Sequence, residues 1–179
     1  MRAVSQLEET LNKQMEKLPE VKLKRIQQYA VDVTLDSDTR LTHPYLIMAE
    51  DRKQVKHGDT KQDLPDNPER FNLDVYVLGK EGFSSGRFDN AVMVKGKTKW
   101  DLGVARESIN RKGDITLSAE NGYWALWLKN GEYEALAKPS VLLSLRGRPQ
   151  KVVFVDYVEG QVSFYDEEAR SLLFHWLHH

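Results

Sequence analysis

Two periodicities divide the chain. Over the first thirty residues apolar positions recur at helical spacing: Val4, Leu7, Leu11 and Leu18 keep a heptad-like interval, with Met15 beside them and Gln14 interrupting the seam. Ser5 followed by Glu8 is a capping-box pattern for the start of that helix, and Pro19 stops or kinks it. The stripe predicts a short α-helical stalk over residues 1–28. Two readings of it stay open: an amphipathic helix packed on its own domain, or the last turns of a coil through which two copies form a homodimer.

After Tyr29 the period falls to two. Val31, Val33 and Leu35 alternate with polar neighbours and predict a strand that ends at Asp36-Ser37-Asp38. The stretch from Asp59 to Arg70 is polar and rich in turn formers, which predicts an exposed loop. Turn signals then follow at short intervals, at Gly79, Gly96-Lys97, Gly113-Asp114, Asn121-Gly122, Asn130-Gly131, Gly147-Arg148-Pro149 and Glu159-Gly160. Between them lie β-branched and aromatic runs, so an all-β fold is expected, two antiparallel sheets packed as a β-sandwich.

Three runs define its strands most sharply. In Tyr123 to Lys129 the set Trp124, Leu126 and Leu128 alternates with Tyr123, Ala125 and Trp127, and Asn130-Gly131 supplies the positive-φ pair of a hairpin that returns through Glu132-Tyr133. From Lys151 to Tyr157 both alternating sets are apolar apart from Asp156, as in a strand covered on two faces. Asp156 is therefore the acid to inspect for a raised pKa. In Gln161 to Tyr165, Val162 and Phe164 share one face.

Composition narrows the function classes. At 179 residues the chain holds one main core and an appendage. Its 26 Lys and Arg against 27 Asp and Glu leave a net charge of -1, so no global field draws it to nucleic acid or anionic lipid, and neither is expected as a partner. The absence of cysteine excludes disulfides and thiolate metal sites; with no Asn-x-Ser/Thr sequon this points to a reducing, cytoplasmic setting. Apolar runs such as Val152 to Val155 fall far below the ~20 residues of a membrane span, and Met1 to Thr10 has no apolar signal core. No Gly-rich phosphate loop, HExxH pair or nucleophile elbow occurs, so no catalytic residue and no cofactor are expected. His175, His178 and His179 read as a frayed tail, with no metal.

Candidate binding chemistry is aromatic and basic. Trp124 should point into the core, whereas Trp127 shares its face with Lys129 and reaches the surface, the composition of a protein-binding hot spot. Lys95, Lys97, Lys99, Arg106, Arg111 and Lys112 lie in or beside turns. Glu107 and Asp114 dilute them, so they read as a solvated loop face in preference to a phosphate patch.

The ordered motifs Leu35-Asp36-Ser37, His43-Pro44, Ser84-Ser85-Gly86-Arg87-Phe88 and Trp100-Asp101-Leu102-Gly103-Val104-Ala105-Arg106 belong together. With Asn121-Gly122-Tyr123-Trp124, Val155-Asp156-Tyr157-Val158-Glu159-Gly160 and Val162-Ser163-Phe164-Tyr165-Asp166, they closely resemble the PRY-SPRY domains of tripartite-motif ubiquitin ligases and butyrophilins. The resemblance covers roughly residues 29–171 and implies a PRY part over about 29–80 and a SPRY part over about 81–179. It implies a bent, concanavalin-like jelly-roll sandwich whose loop face binds a protein ligand and supplies substrate choice to a ligase whose RING lies elsewhere. Residues 1–28 look like that family's coil-to-sandwich linker. In an antibody-binding member the surface uses the Asp matching Asp101 and the Trp matching Trp127; the second Trp of that site is Lys129 here. The expected partner-binding set is Asp101, Trp127, Lys129, Trp100, Arg106 and Tyr123. A non-catalytic carbohydrate- or small-anion-binding sandwich is the alternative.

Two departures bear on folding. Where the family reads Tyr-Trp-Glu-Val, this chain has Asp89-Asn90-Ala91-Val92, losing two aromatics from an inner strand. The family also continues past the position of His179 into closing strands, so the final strands are expected to be missing and an open edge near Leu173, Phe174 and Trp176 to favour aggregation.

Overall fold

The computed structural model describes residues 32–36, 45–64, 67–84, 86–145, 147–156 and 161–177. The helix expected over residues 1–28, and with it the homodimer, lies outside these residues, as do His43-Pro44, the Glu159-Gly160 turn, His178, His179 and the side chain of Asp156.

The described residues form ten strands. β1 (Leu46–Met48) and β2 (Val55–His57) make a small hairpin. β3 (Arg87–Met93), β8 (Lys151–Asp156), β9 (Gln161–Asp166) and β10 (Ser171–Leu177) make one four-stranded sheet in the order β10-β9-β8-β3. β4 (Trp100–Ala105), β5 (Tyr123–Lys129), β6 (Glu132–Ala135) and β7 (Val141–Leu143) make the other, a meander in sequence order. Every pairing is antiparallel, as the short strands and tight turns predict.

The two larger sheets close over one apolar cluster. The first contributes Phe88, Val152, Val162, Phe164 and Trp176, the second Leu126 and Ala135, and Val94 joins from the turn after β3. Phe164 and Val152 are fully buried. Trp176 meets the edge of Phe164 at 5.5 Å and Phe174 at 4.6 Å, the T-shaped geometry that aromatic quadrupoles favour. Each side chain of this size contributes roughly 1.5–3 kcal/mol through burial alone. The predicted pairing of Val162 with Phe164 on one face is what places β9 here.

Backbone approach is closest between β4 and β5. A Cβ on Gly103 would lie 2.3 Å from the Trp124 carbonyl oxygen and 2.8 Å from Ala125, so only glycine lets these strands meet at this register. At the β5–β6 turn, Asn130 and Gly131 have φ of 54° and 83°, the left-handed pair that the Asn-Gly dipeptide predicts.

One expectation needs correction. Residues 32–36 make no strand ladder; Leu35 forms a single bridge with Gly79. The segment divides its hydrogen bonds between neighbours: Leu35 N–H donates to Arg52 O at 2.8 Å, and Asp36 N–H to Leu78 O at 2.8 Å. The Glu81 carboxylate takes both the backbone N–H and the hydroxyl of Thr34. Alternation gave no partner strand. Leu173, Phe174 and Trp176 lie on β10, which is an outermost strand of its sheet among the described residues. Trp176 is buried in the core cluster, with Leu173 and Phe174 packed against it through the pairing of β10 on β9.

The replaced aromatics leave an acid in a dry place. Asp89 is 4% exposed and its Oδ1 has no hydrogen-bond partner. Burial pushes its pKa up to about 6, Glu167 adds to the rise, and Lys151, paired with Glu167 at 2.6 Å, opposes it. A folded-state pKa above the ordinary 3.8 means that native protein holds this proton more tightly than unfolded chain. Stability from this group is therefore greatest at acid pH and is lost as pH rises from about 4 through about 6, a change of roughly 2–3 kcal/mol. Asp89→Asn should raise stability by about that amount at pH 7.5, with the difference from wild type shrinking towards pH 4 in urea titrations. An unchanged difference at both pH values would show that Asp89 is not ionising within the fold.

Candidate functional site

The outward face of the β4–β7 sheet carries one side chain from each strand in a single row. Asp101 of β4 sits opposite Trp127 of β5, Trp127 opposite Glu134 of β6, and Glu134 opposite Leu142 of β7. Strand alternation dictates the row: Trp100, Leu102 and Val104 pack towards the core, which turns Asp101 and Gly103 outwards. The two-residue hairpin then pins Lys129 against Glu132 and hence Trp127 against Glu134. With strands ~4.8 Å apart, the row spans roughly 15 Å.

Charge surrounds the indole. Lys129 Nζ lies 5.4 Å from the Trp127 ring centroid, a cation–π contact of roughly 0.5–1 kcal/mol at such a surface. Trp127 itself is half-buried and Leu142 is 61% exposed. Although Asp101 is exposed, its carboxyl is raised above the usual aspartate range, first by desolvation; Lys99 and Lys129 pull it down and Asp74 pushes it up. The Tyr76 phenol beside it is pushed up to about 12, first by burial and then by Asp101, Asp74 and Tyr123. Tyr76 therefore stays a neutral hydrogen-bond donor over the whole physiological range.

The Tyr123 end of this face is closed by chain. Residues 67–76 run along 110–115, where Gly113 N–H donates to Asn72 Oδ1 at 2.7 Å and Ile115 N–H to Asp74 Oδ2 at 3.0 Å. Lys112 Nζ donates to Asn67 O at 3.0 Å, and the Arg111 guanidinium pairs with the Glu69 carboxylate. Phe71, almost wholly buried, meets Tyr76 edge-on at 5.6 Å and anchors the strap. Tyr123 and Ala125 are buried as a result, and the face stays open at its Trp127 end.

Of the six sequence-predicted residues, Asp101, Trp127 and Lys129 are brought together, on strands and not on loops. The other three are not at this site. Trp100 faces the opposite side of β4, its ring 6.1 Å from Tyr133. Arg106 lies over the Trp124 ring at 5.3 Å, at the end of the sheet where Gly122 leaves it room. Tyr123 is buried, its hydroxyl donating to Asn110 O at 2.9 Å. Trp124 packs against the core cluster as expected. Glu134, Leu142 and Tyr76 were missed: the first could be counted from the hairpin register, while the other two reach the site through connections whose course the sequence does not specify.

The described residues thus form a two-sheet antiparallel sandwich with an acid–indole row on one outer face. The chain belongs to the PRY-SPRY family of tripartite-motif proteins: the SPRY-associated domain matches residues 33–83 and the SPRY domain residues 88–177. It is 48% identical over 139 residues to Nuclear factor 7, ovary, of Xenopus laevis, covering 76% of this chain and 23% of that protein. To human Zinc finger protein RFP it is 44% identical over 178 residues, covering 98% of this chain and 34% of the relative. To the mouse E3 ubiquitin-protein ligase TRIM58 it is 41% identical over 155 residues, covering 86% and 32%. The chain thus spans roughly a quarter to a third of the length of these relatives. The crystal structure of the TRIM65 PSpry domain superposes with a TM-score of 0.72 at 19% identity, covering 86% of this chain and 82% of that one, which shows the shared fold. Membership of this family is consistent with a protein-interaction module.

If the strap is held partly by the buried phenol, Tyr123→Phe should lower unfolding free energy by roughly 0.5–1.5 kcal/mol, the net worth of one hydrogen bond. Chemical denaturation measures this, and an unchanged midpoint would show that the phenol does not hold the 110–115 segment.

Proposed function

We propose that the Asp101–Trp127–Glu134–Leu142 row is the docking face for a protein partner, and that it gives target choice to a cytoplasmic ubiquitin ligase of tripartite-motif type or a related innate immune protein. The observation that carries this reading is the half-buried Trp127 held between two acids and under Lys129. An indole fixed by its neighbours loses little entropy when a partner covers it, and indoles of this kind dominate protein interfaces. The two acids favour a partner that brings an arginine or lysine to the indole edge, and exposed Leu142 offers an apolar contact beside them.

Similarity to the mouse E3 ubiquitin-protein ligase TRIM58 supports the wider role. Affinity capture from cytosol with wild type and Trp127→Ala, followed by titration of the captured protein, tests the reading. The substitution should weaken binding at least tenfold, a loss of about 1.4 kcal/mol or more, and leave the thermal midpoint within a few degrees. Unfolding of Trp127→Ala would make Trp127 a core residue. Unchanged affinity in a folded variant would place the docking face elsewhere.

A further inference from the structure

A second, separate concavity lies on the other side of β4. The turn after β3 and the stretch before β8 are tied together, with Val94 N–H donating to Gln150 O at 2.8 Å and Lys97 N–H to Val94 O at 3.1 Å. Between this pair of segments and the inward side chains of the opposite sheet is a cleft of about 210 Å³. Its aromatic walls are Trp100 and Tyr133, tilted at 60° to each other, and buried Pro149 lies beside them. Its rim carries Lys95, Lys97 and Arg148, all exposed.

The charge of the rim is unbalanced. Among the described residues none of these three cations has an ion-pair partner. The carboxylate that acts on Tyr133 from nearby is Asp166, and its Oδ1 is already engaged by the N–H groups of Glu168 and Ala169 at 3.0 and 3.1 Å. Arg148 opposes it, pulling the Tyr133 phenol down against burial, which sets the guanidinium's charge close to the aromatic wall. Three like charges collected at one opening on a chain of net charge -1 repel one another until an anion enters.

We propose that this cleft binds a phosphate monoester, carried as phosphoserine or phosphothreonine on a protein partner. Charge selects the ligand: a phosphoryl group brings about -1.5 to -2 at neutral pH and three acceptor oxygens, matching one guanidinium fork and two ammonium groups better than a carboxylate does. Size selects it too. The volume is below the ~300 Å³ at which drug-sized sites begin, and is equivalent to about seven waters. That accommodates a phosphoryl group with its ester carbon. The Trp100 and Tyr133 rings then cover the apolar stem. This goes beyond the docking face, because Trp100 and Asp101 project from opposite sides of the same strand.

The probes are N-acetyl phosphoserine amide, its unphosphorylated counterpart and inorganic phosphate, each titrated into the full chain by calorimetry. The phosphoserine amide should bind with a Kd at or below roughly 1 mM, about tenfold or more tighter than inorganic phosphate, and the unphosphorylated probe should not bind. Arg148→Ala, and the Lys95→Ala/Lys97→Ala pair, should each weaken binding about tenfold with the thermal midpoint unchanged, since all three side chains are exposed; Trp127→Ala should leave it intact. No saturable heat with the phosphoserine amide overturns the proposal. So does equal affinity for inorganic phosphate, which would make the ligand a free anion, and so does binding that survives Arg148→Ala.

Discussion

The buried cluster that includes Leu126, Ala135, Val152 and Phe164 is the contact on which everything else rests, because it is where the two four-stranded sheets meet. Once those inner faces are committed to each other, strand alternation leaves the outer faces and the rims for chemistry. β5 shows how little is left. Ala125, Leu126 and Leu128 are all buried although they point to both sides, because the 67–76 strap and the 110–115 segment cover the outer face at its Tyr123 end. Trp127 stays reachable because the strap stops short of it. The docking row is thus what remains of a sheet face after packing has taken its share.

The same cluster explains why Asp89 is tolerable and costly. Its neighbours Phe88 and Val92 enter or abut the core, and the β3–β8 ladder continues past it through Asn90, Ala91 and Val92, so the strand is held by partners on either side of the acid. A penalty of a few kcal/mol is a large share of the ~5–15 kcal/mol that a domain holds in reserve. Two large aromatics at these positions would add burial in place of it. The sequence difference from the family therefore reappears as a titrating group inside the sheet, and not as a lost strand.

Much of this was legible in the residues. The Asn130-Gly131 dipeptide gives the β5–β6 hairpin and its register, and from that register alone Trp127 faces Glu134. The alternation in β9 gives Val162 and Phe164 to the core. Alternation could not say whether a strand would find a neighbour, which is why Leu35 ends as a single bridge. Nor could it say which residue of a neighbouring strand sits beside Asp101, until the β4–β5 register placed Trp127 there. Tyr76 and the strap touch the site from positions far away in the chain, linked by side-chain bonds such as Asp74 to the Ile115 amide. No local pattern encodes contacts of that range. In the sequence Asp89 stood out only as a departure from the family's aromatics, and it is burial in the folded sheet that raises its pKa.

β4 gives the two outer surfaces their relation. Consecutive residues serve different places: Trp100 lines the cationic cleft, and Asp101 begins the acid–indole row. The surfaces also differ in sign, with Lys95, Lys97 and Arg148 on one side and Asp101 and Glu134 on the other, so a ligand attracted to either is repelled by its counterpart. A sheet separates them, so occupying one leaves the other sterically free. Among the described strands β4 is the outermost of its sheet, so a single extended peptide could reach both surfaces only by passing round that strand. Sheets pack ~10 Å apart and a strand advances ~3.3 Å per residue, so such a passage needs only a few residues of linker. A partner with a basic anchor and a nearby phosphoresidue would then bind with the gain in effective concentration that two tethered contacts give, and neither contact alone need be strong.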